Sequence, residues 1–416
     1  MEVRRALGLA VLVATGLATA GAGPVPAAQP SPSPPPFVPC PVVELDPPPQ
    51  RPSPPPTPVH DPWEREVGGA ALATAGLVVP PDAPDLPDQL SATYWLVADL
   101  DTGAVLGACG PHEYGIPAST QKLLLALTLL DELDPHDVVE VLPEDLDFEP
   151  GSSAVGLLAG GRYPVETLWL GLLLNSGNDA AQALARVGGG PEGVAGTLAK
   201  MNRTAWLLGA YQTHAVTPSG LDGPGQFTSA YDLALIARRL YQREDFLRYI
   251  STERTQIPPQ PPRDPNGFQI QNQDPMLAAY EGALGGKTGY TDLARHSYVG
   301  AAERDGRRLV VTVLGAENRP VPAWQQATAL LDWGFSLPRR ASVGRLVEPG
   351  EALLAALLPD PGAPEEVSAP PVPPAQASAP VPPVVRWLVW LVGGVAAVVL
   401  IFGVVLMAAG VVLRRR

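Results

Sequence analysis

The chain has 416 residues, 51 of them proline, a formal net charge of -14 and a hydrophobic fraction of 46%. That charge argues against nucleic acid as a partner, because no basic footprint offsets phosphate repulsion, and it disfavours tight docking on anionic lipid. The prolines cluster in two stretches that cannot pack a core, so one folded domain is expected rather than the two or three that the length allows.

At the N-terminus Arg4 and Arg5 precede an apolar run from Ala6 to Ala20, closing on Ala18-Thr19-Ala20. This is the pattern of a secretory signal peptide, assigned to residues 1–28; an uncleaved anchor is the alternative, and both imply export. Residues 29–63, with runs such as Pro54-Pro55-Pro56, read as an extended spacer. The folded domain is expected over 64–345. A Pro/Ala-rich linker then spans 346–384 and leads into a transmembrane helix over 385–413. Trp387 to Leu413 contains no charged residue and is long enough to cross a bilayer. Arg414, Arg415 and Arg416 then place residues 414–416 in the cytoplasm and the domain outside. The two cysteines, Cys40 and Cys109, allow either a disulfide or two separate thiols.

Within the domain, Tyr94 to Asp99 is an apolar run that turns at Asp101-Thr102-Gly103 and resumes at Ala104, as in a β-hairpin. Ser119 to Leu133 is predicted helical. Its leucines at 123, 124, 125, 127, 129 and 130 cover nearly the whole circumference, so this helix is expected at the centre of the domain. A second apolar helix is predicted over about Val165 to Leu174. A third is expected between Asn178-Asp179 and Gly188-Gly189-Gly190. Ser297 to Ala302 and Leu309 to Leu314 flank Asp305-Gly306, a strong hairpin signal, and a last helix is expected near Trp324 to Trp333. The order strands, helices, strands, helix predicts an α+β fold with one antiparallel sheet assembled from both ends of the domain.

The chemistry begins at Ser119-Thr120-Gln121-Lys122. Three positions apart on a helix, Ser119 and Lys122 share a face. A serine hydroxyl is a poor nucleophile until a base removes its proton, and a lysine can be that base only if burial or a nearby cation lowers its pKa. Taken alone the tetrad is equally a helix cap with a snorkelling lysine. Two further segments change the balance. Ser176-Gly177-Asn178 sits in a turn after an apolar helix, and Lys287-Thr288-Gly289 follows Gly285-Gly286, ahead of an expected strand. Each has a plain reading, as a capping turn and as an ordinary loop; the order and spacing of all three argue for one site.

With these elements the chain resembles the penicillin-binding and serine β-lactamase superfamily, which carries Ser-x-x-Lys, Ser-x-Asn and Lys-Thr-Gly. Within it the resemblance is to the S11 D-alanyl-D-alanine carboxypeptidases, over roughly Tyr94 to Phe335. It is supported by phrases at Trp95 to Gly103, Pro117-Ala118-Ser119, Ser176 to Ala181, Thr217 to Asp222, Tyr231 to Ala234 and Gly286 to Thr291. The resemblance implies the penicillin-binding-protein fold, an antiparallel sheet with helices on both faces. It implies Ser119 as nucleophile, Lys122 as its base and Ser176 as proton relay. Asn178, Lys287, Thr288, Gly289 and Tyr290 would bind substrate, with the amides of Ser119 and Tyr290 as oxyanion hole. The substrate would be a peptidoglycan stem peptide ending in D-Ala-D-Ala, and β-lactams would be covalent inhibitors.

No cofactor is expected, and the five histidines show no paired spacing for a metal. Arg319 reads as an exposed loop charge near where the family often has a carboxylate-binding arginine. Arg295 and His296 replace the smaller residues usual at the far rim. The β-rich second domain common in the family is expected to be missing or reduced to a strand near Val343 to Val347.

Two other functions compete. A class A-like β-lactamase would need a deacylating glutamate placed between the second and third motifs; between Glu192 and Tyr231 the chain offers only Asp222, so slow inhibitory acylation by penicillin is expected instead. A catalytically idle wall-binding module would not require all three motifs to be complete.

Overall fold

The computed structural model describes residues 37–357. The expected signal peptide, transmembrane helix and cytoplasmic tail lie outside them, and no helix among the described residues is long and apolar enough to cross a membrane.

One antiparallel sheet organises the domain. Its strands are β1 (Leu77–Val78), β2 (Tyr94–Asp99), β3 (Ala104–Cys109), β8 (Ala283–Thr291), β9 (Arg295–Arg304), β10 (Arg307–Ala316) and β11 (Gly344–Arg345). The order is β1-β3-β2-β10-β9-β8, with β11 added against β3. Two short hairpins, β4 (Val138–Glu140) with β5 (Arg162–Pro164) and β6 (Arg254–Ile257) with β7 (Phe268–Gln271), stand apart from it. The expected union of both ends of the domain occurs between β2 and β10, with Val97 opposite Val311. The β9–β10 turn has the predicted two-residue form: Asp305 and Gly306 both adopt positive φ (50° and 65°), which matches the twist of the strands they join.

Alternation along the strands sends apolar side chains to two faces. Trp95, Val97, Val311 and Val313 pack against α9 (Ala323–Ser336) through Leu330 and Leu331. Leu96, Ala98, Val310 and Leu314 face the helical side. That side holds α2 (Gln121–Leu129), α3 (Val165–Leu174), α4 (Asn178–Gly188), α5 (Gly193–Leu208), α6 (Ala230–Leu240) and α7 (Glu244–Ile250). The fold is therefore α+β with helices on both faces, as expected. Short helices α1 (Pro62–Arg65), α8 (Met276–Ala279) and α10 (Glu351–Leu357) complete the set.

Several boundaries differ from expectation. The central helix is buried at every residue but Leu127, yet Ser119 precedes it in a 3-10 turn, Ala118–Thr120, and the helix stops at Leu129 rather than Leu133. Pro135 disfavours helical backbone at Asp134, which helps end it early. Lys287-Thr288-Gly289 lies inside strand β8, not before a strand.

Residues 37–61 form no regular element, but they are fastened along the domain rather than free of it. Cys40 and Cys109 are bonded, with Cα atoms 5.7 Å apart. Leu77 N donates to Val38 O at 2.7 Å and Val43 N to Leu90 O at 2.7 Å. At the other end Leu346 and Val347 are buried and α10 follows, so packed structure extends past the expected boundary at 345.

Candidate active site

A cleft of about 360 Å³ opens where the edge strand β8 meets the N-terminal ends of α2 and α4. Ser119, Ser176, Asn178, Thr288, Gly289 and Tyr290 all line it, so the three motifs converge. Lys122 and Lys287 lie beneath its floor, 0% and 2% exposed. A cavity of about 400 Å³ beside Trp63 and Arg345 contains none of these residues.

The turn carrying Ser119 is set by its neighbours. Ala118 is held at φ 48°, and the hydroxyls of Thr120 and Ser297 both donate to Pro117 O, at 2.6 and 2.7 Å. Gly289 of β8 passes so close that a Cβ there would lie 2.8 Å from Ser119 N and 2.3 Å from Ser297 Oγ. Only glycine lets the strand approach the nucleophile's amide in this way. Ser176 also adopts a left-handed backbone, φ 58°, in the turn between α3 and α4.

Lys122 Nζ has three neighbours: Ser119 Oγ at 2.9 Å, Asn178 Oδ1 at 2.7 Å and Ser219 O at 2.8 Å. A carbonyl and an amide oxygen can only accept, so they fix two N–H bonds of a neutral amine and leave its lone pair for the Ser119 hydroxyl. Burial, reinforced by the Lys287 ammonium, pushes the Lys122 pKa well below that of a free lysine, against the opposing pull of Asp179. The neutral amine is thereby favoured.

Lys287 Nζ donates to Ser176 Oγ at 3.0 Å and Thr288 O at 2.8 Å. Burial brings its pKa down to about 7, while the nearby Asp274 carboxylate acts to raise it. Asp274 is itself buried and accepts from Tyr298 OH at 2.9 Å.

Asn178 is oriented from both sides, its Nδ2 donating to Ser152 Oγ at 2.9 Å and its backbone N to Ser153 O. Next to it, the Asp179 carboxylate accepts from the amides of Val155, Gly156 and Leu157 at 2.9, 2.8 and 3.0 Å, which pins the loop forming one wall. Ser152, Asp179, Ser219, Asp274 and Ser297 are supporting residues that sequence reasoning missed. Only Ser219 and Asp179 stood in phrases that signalled the site, and the contact made by Ser219 is through its backbone.

Arg319 is exposed and donates to Asp46 O and Pro47 O at 3.3 and 3.0 Å. Asp222 accepts from Thr291 Oγ1 at 2.7 Å, tying the loop after Ser219 to the end of β8. No aspartate or glutamate is among the described residues lining the cleft, and no group of three potential metal ligands occurs among the described residues.

The Peptidase S11 model, described as D-alanyl-D-alanine carboxypeptidase, matches residues 81–318. D-alanyl-D-alanine carboxypeptidase DacB2 of Mycobacterium tuberculosis is 45% identical over 282 residues, covering 67% of this chain and 91% of the relative. DacD of Salmonella typhimurium is 34% identical, covering 60% and 64%. A crystal structure of a D-alanyl-D-alanine carboxypeptidase from M. tuberculosis superposes with a TM-score of 0.60 at 44% identity, over 65% of this chain and 100% of that one. The Streptomyces K15 DD-transpeptidase gives 0.58 at 26% identity, over 61% and 100%. Three motifs converging on one cleft, on this sheet and with these relatives, make the chain a member of the S11 family of serine D-alanyl-D-alanine carboxypeptidases.

Proposed function

We propose that Ser119 and Lys122 carry the carboxypeptidase reaction, with Ser176, Asn178, Lys287, Thr288, Gly289 and Tyr290 completing the site. The observation that carries this assignment is the Lys122 amine, buried and placed between Ser119 Oγ and two groups that can only accept. Lys122 takes the hydroxyl proton as Ser119 Oγ attacks the carbonyl between the two terminal D-alanines of a stem peptide. The amides of Ser119 and Tyr290 hold the developing oxyanion. As the carbon–nitrogen bond breaks, Ser176 passes a proton to the leaving amine. Lys287 and Thr288 hold the terminal carboxylate, and Asn178 holds the substrate amide. Water then cleaves the ester, releasing the shortened peptide and restoring the Ser119 hydroxyl.

The absence of a carboxylate along the described cleft supports slow deacylation of a penicillin adduct, because the carboxylate base that β-lactamases use for water is not at hand. Benzylpenicillin is expected to leave a lasting adduct on the wild type, read by intact-mass spectrometry. The Ser119→Ala variant should carry none and should lose D-alanine release from a D-Ala-D-Ala pentapeptide by about 10³-fold or more. An adduct on Ser119→Ala would sink the assignment.

The reading extends to the chain's organisation: signal peptide 1–28, proline-rich segment 29–63, catalytic domain 64–345 with packed flanks from residue 37 and to residue 357, linker beyond that to 384, membrane helix 385–413 and tail 414–416, with the domain outside the cell membrane. The uncharged stretch Trp387 to Leu413 and the three terminal arginines support it. Deleting residues 385–416 should move the protein from the membrane to the soluble fraction, and unchanged sedimentation with membranes would contradict the anchor.

A further inference from the structure

A second cavity, of about 380 Å³, adjoins the catalytic cleft and shares Tyr290 and His296 with it. Pro48, Pro49 and Gln50 of the N-terminal segment form one wall. Opposite them stand Arg295, Glu317 and Arg319.

The proline wall is held in place by specific bonds. Arg51 Nε donates to Glu317 Oε1 at 2.8 Å and its Nη2 to Gly315 O at 3.0 Å. Arg319 Nη2 donates to Pro47 O at 3.0 Å, and the Cys40–Cys109 bond fixes the segment upstream. Glu317, which is buried, also accepts from Arg295 Nη2 at 3.0 Å.

Two guanidinium groups, those of Arg51 and Arg295, thus close on the Glu317 carboxylate, and a third, that of Arg319, lines the same cavity, in a protein whose net charge is -14. Arg319 is exposed, and the two backbone carbonyls occupy two of the five N–H donors that a guanidinium offers. Among the charged residues lining the cavity two arginines, Arg295 and Arg319, stand against the single Glu317, on the rim of a cleft where an extended peptide can lie along the free edge of β8. A peptide reacting at Ser119 and running past Gly289 and Tyr290 reaches the shared wall within one or two residues, at ~3.4 Å per residue.

We propose that this cavity is a substrate subsite for an anionic group, a side-chain carboxylate on the residue preceding the D-Ala-D-Ala pair, and that the segment Pro48 to Arg51 is its wall. The proposal rests on the carboxypeptidase assignment above. It gives the proline-rich segment a part in substrate selection, through charge supplied by the domain and closure supplied by the segment.

The test uses the full-length chain and two D-Ala-D-Ala peptides that differ only in whether that side-chain carboxylate is free or amidated. The free acid should show a KM about fivefold lower, with kcat within about twofold, the scale of one partly exposed ion pair. Arg319→Gln should abolish the difference. Gln50→Glu, an exposed change that removes no anchoring bond, should reverse it by placing a negative charge on the wall. Penicillin labelling reports that Ser119 remains reactive in each variant. Equal KM values for the two peptides in the wild type, or a preference untouched by both substitutions, would overturn the subsite. Failure of the carboxypeptidase assignment looks different: neither peptide loses D-alanine and Ser119 is not labelled, and the subsite then falls with it.

Discussion

Two buried lysines, each with its pKa lowered by burial, make the site sensitive to pH in a definite direction. An amine with a lowered pKa is a base at pH values above that pKa, so acylation should rise as Lys122 loses its proton. Burial is the larger cause of its shift and the Lys287 charge the second. Removing that charge in Lys287→Gln should therefore move the acid limb of penicillin acylation to higher pH, read from acylation rates across pH 4 to 9. With a peptide substrate the wild type should also lose kcat/KM above pH about 7, where Lys287 gives up its proton and its hold on the terminal carboxylate. An acid limb that stays in place in Lys287→Gln would show that the second lysine does not tune the first. Gly289 makes a separate demand at this scale. Gly289→Ala would set a methyl against Ser119 N and Ser297 Oγ, and acylation should fall by about 10²-fold while the melting temperature changes little. Wild-type acylation in that variant would mean that the strand can retreat without cost.

At the scale of elements, the parts of the fold with strong local patterns were legible. The β2–β3 hairpin, α3, the β9–β10 hairpin and α9 all stand where their apolar periodicity and turn residues place them. Strand β8 was not recognised, because Gly285, Gly286 and Gly289 give it the composition of a loop. It is a strand through pairing with β9, where Lys287 lies opposite Val299 and Gly289 opposite Ser297. The glycines that hid the strand are what allow its edge to reach the nucleophile. The helices α5, α6 and α7 and the β6–β7 hairpin were not predicted individually, although the phrase Tyr231 to Ala234 belongs to α6. The site's three motifs were readable as a set because each is short and local. Their supports were not, because Asp274 acts across Tyr298 and Ser219 acts through a carbonyl.

At the scale of the whole molecule, the N-terminal segment is the largest departure from the sequence reading. Proline-rich chain looks like a tether when judged by composition, and what fixes it are partners far along the chain: Cys109 for Cys40, Glu317 for Arg51 and Arg319 for Asp46 and Pro47. The Cys40–Cys109 bond closes a loop across a sequence separation of 69. Replacing both cysteines by serine should destabilise the domain by about 2–4 kcal/mol, seen as a lower denaturation midpoint, and should free the segment from the cavity wall. An unchanged midpoint would mean that the arginine clamps alone hold it. The pairing of β2 with β10 has a further consequence, for how the chain is made. Strand β2 is apolar on both faces and central in the finished sheet, yet roughly 200 residues must follow it before β10 exists, about 10–40 s at ordinary synthesis rates. Throughout that interval β2 has β3 on one side and an open edge on the other. Any stall in synthesis before residue 307 therefore leaves a bare, sticky strand at the heart of the molecule, and the newborn chain depends on being shielded until its other half arrives.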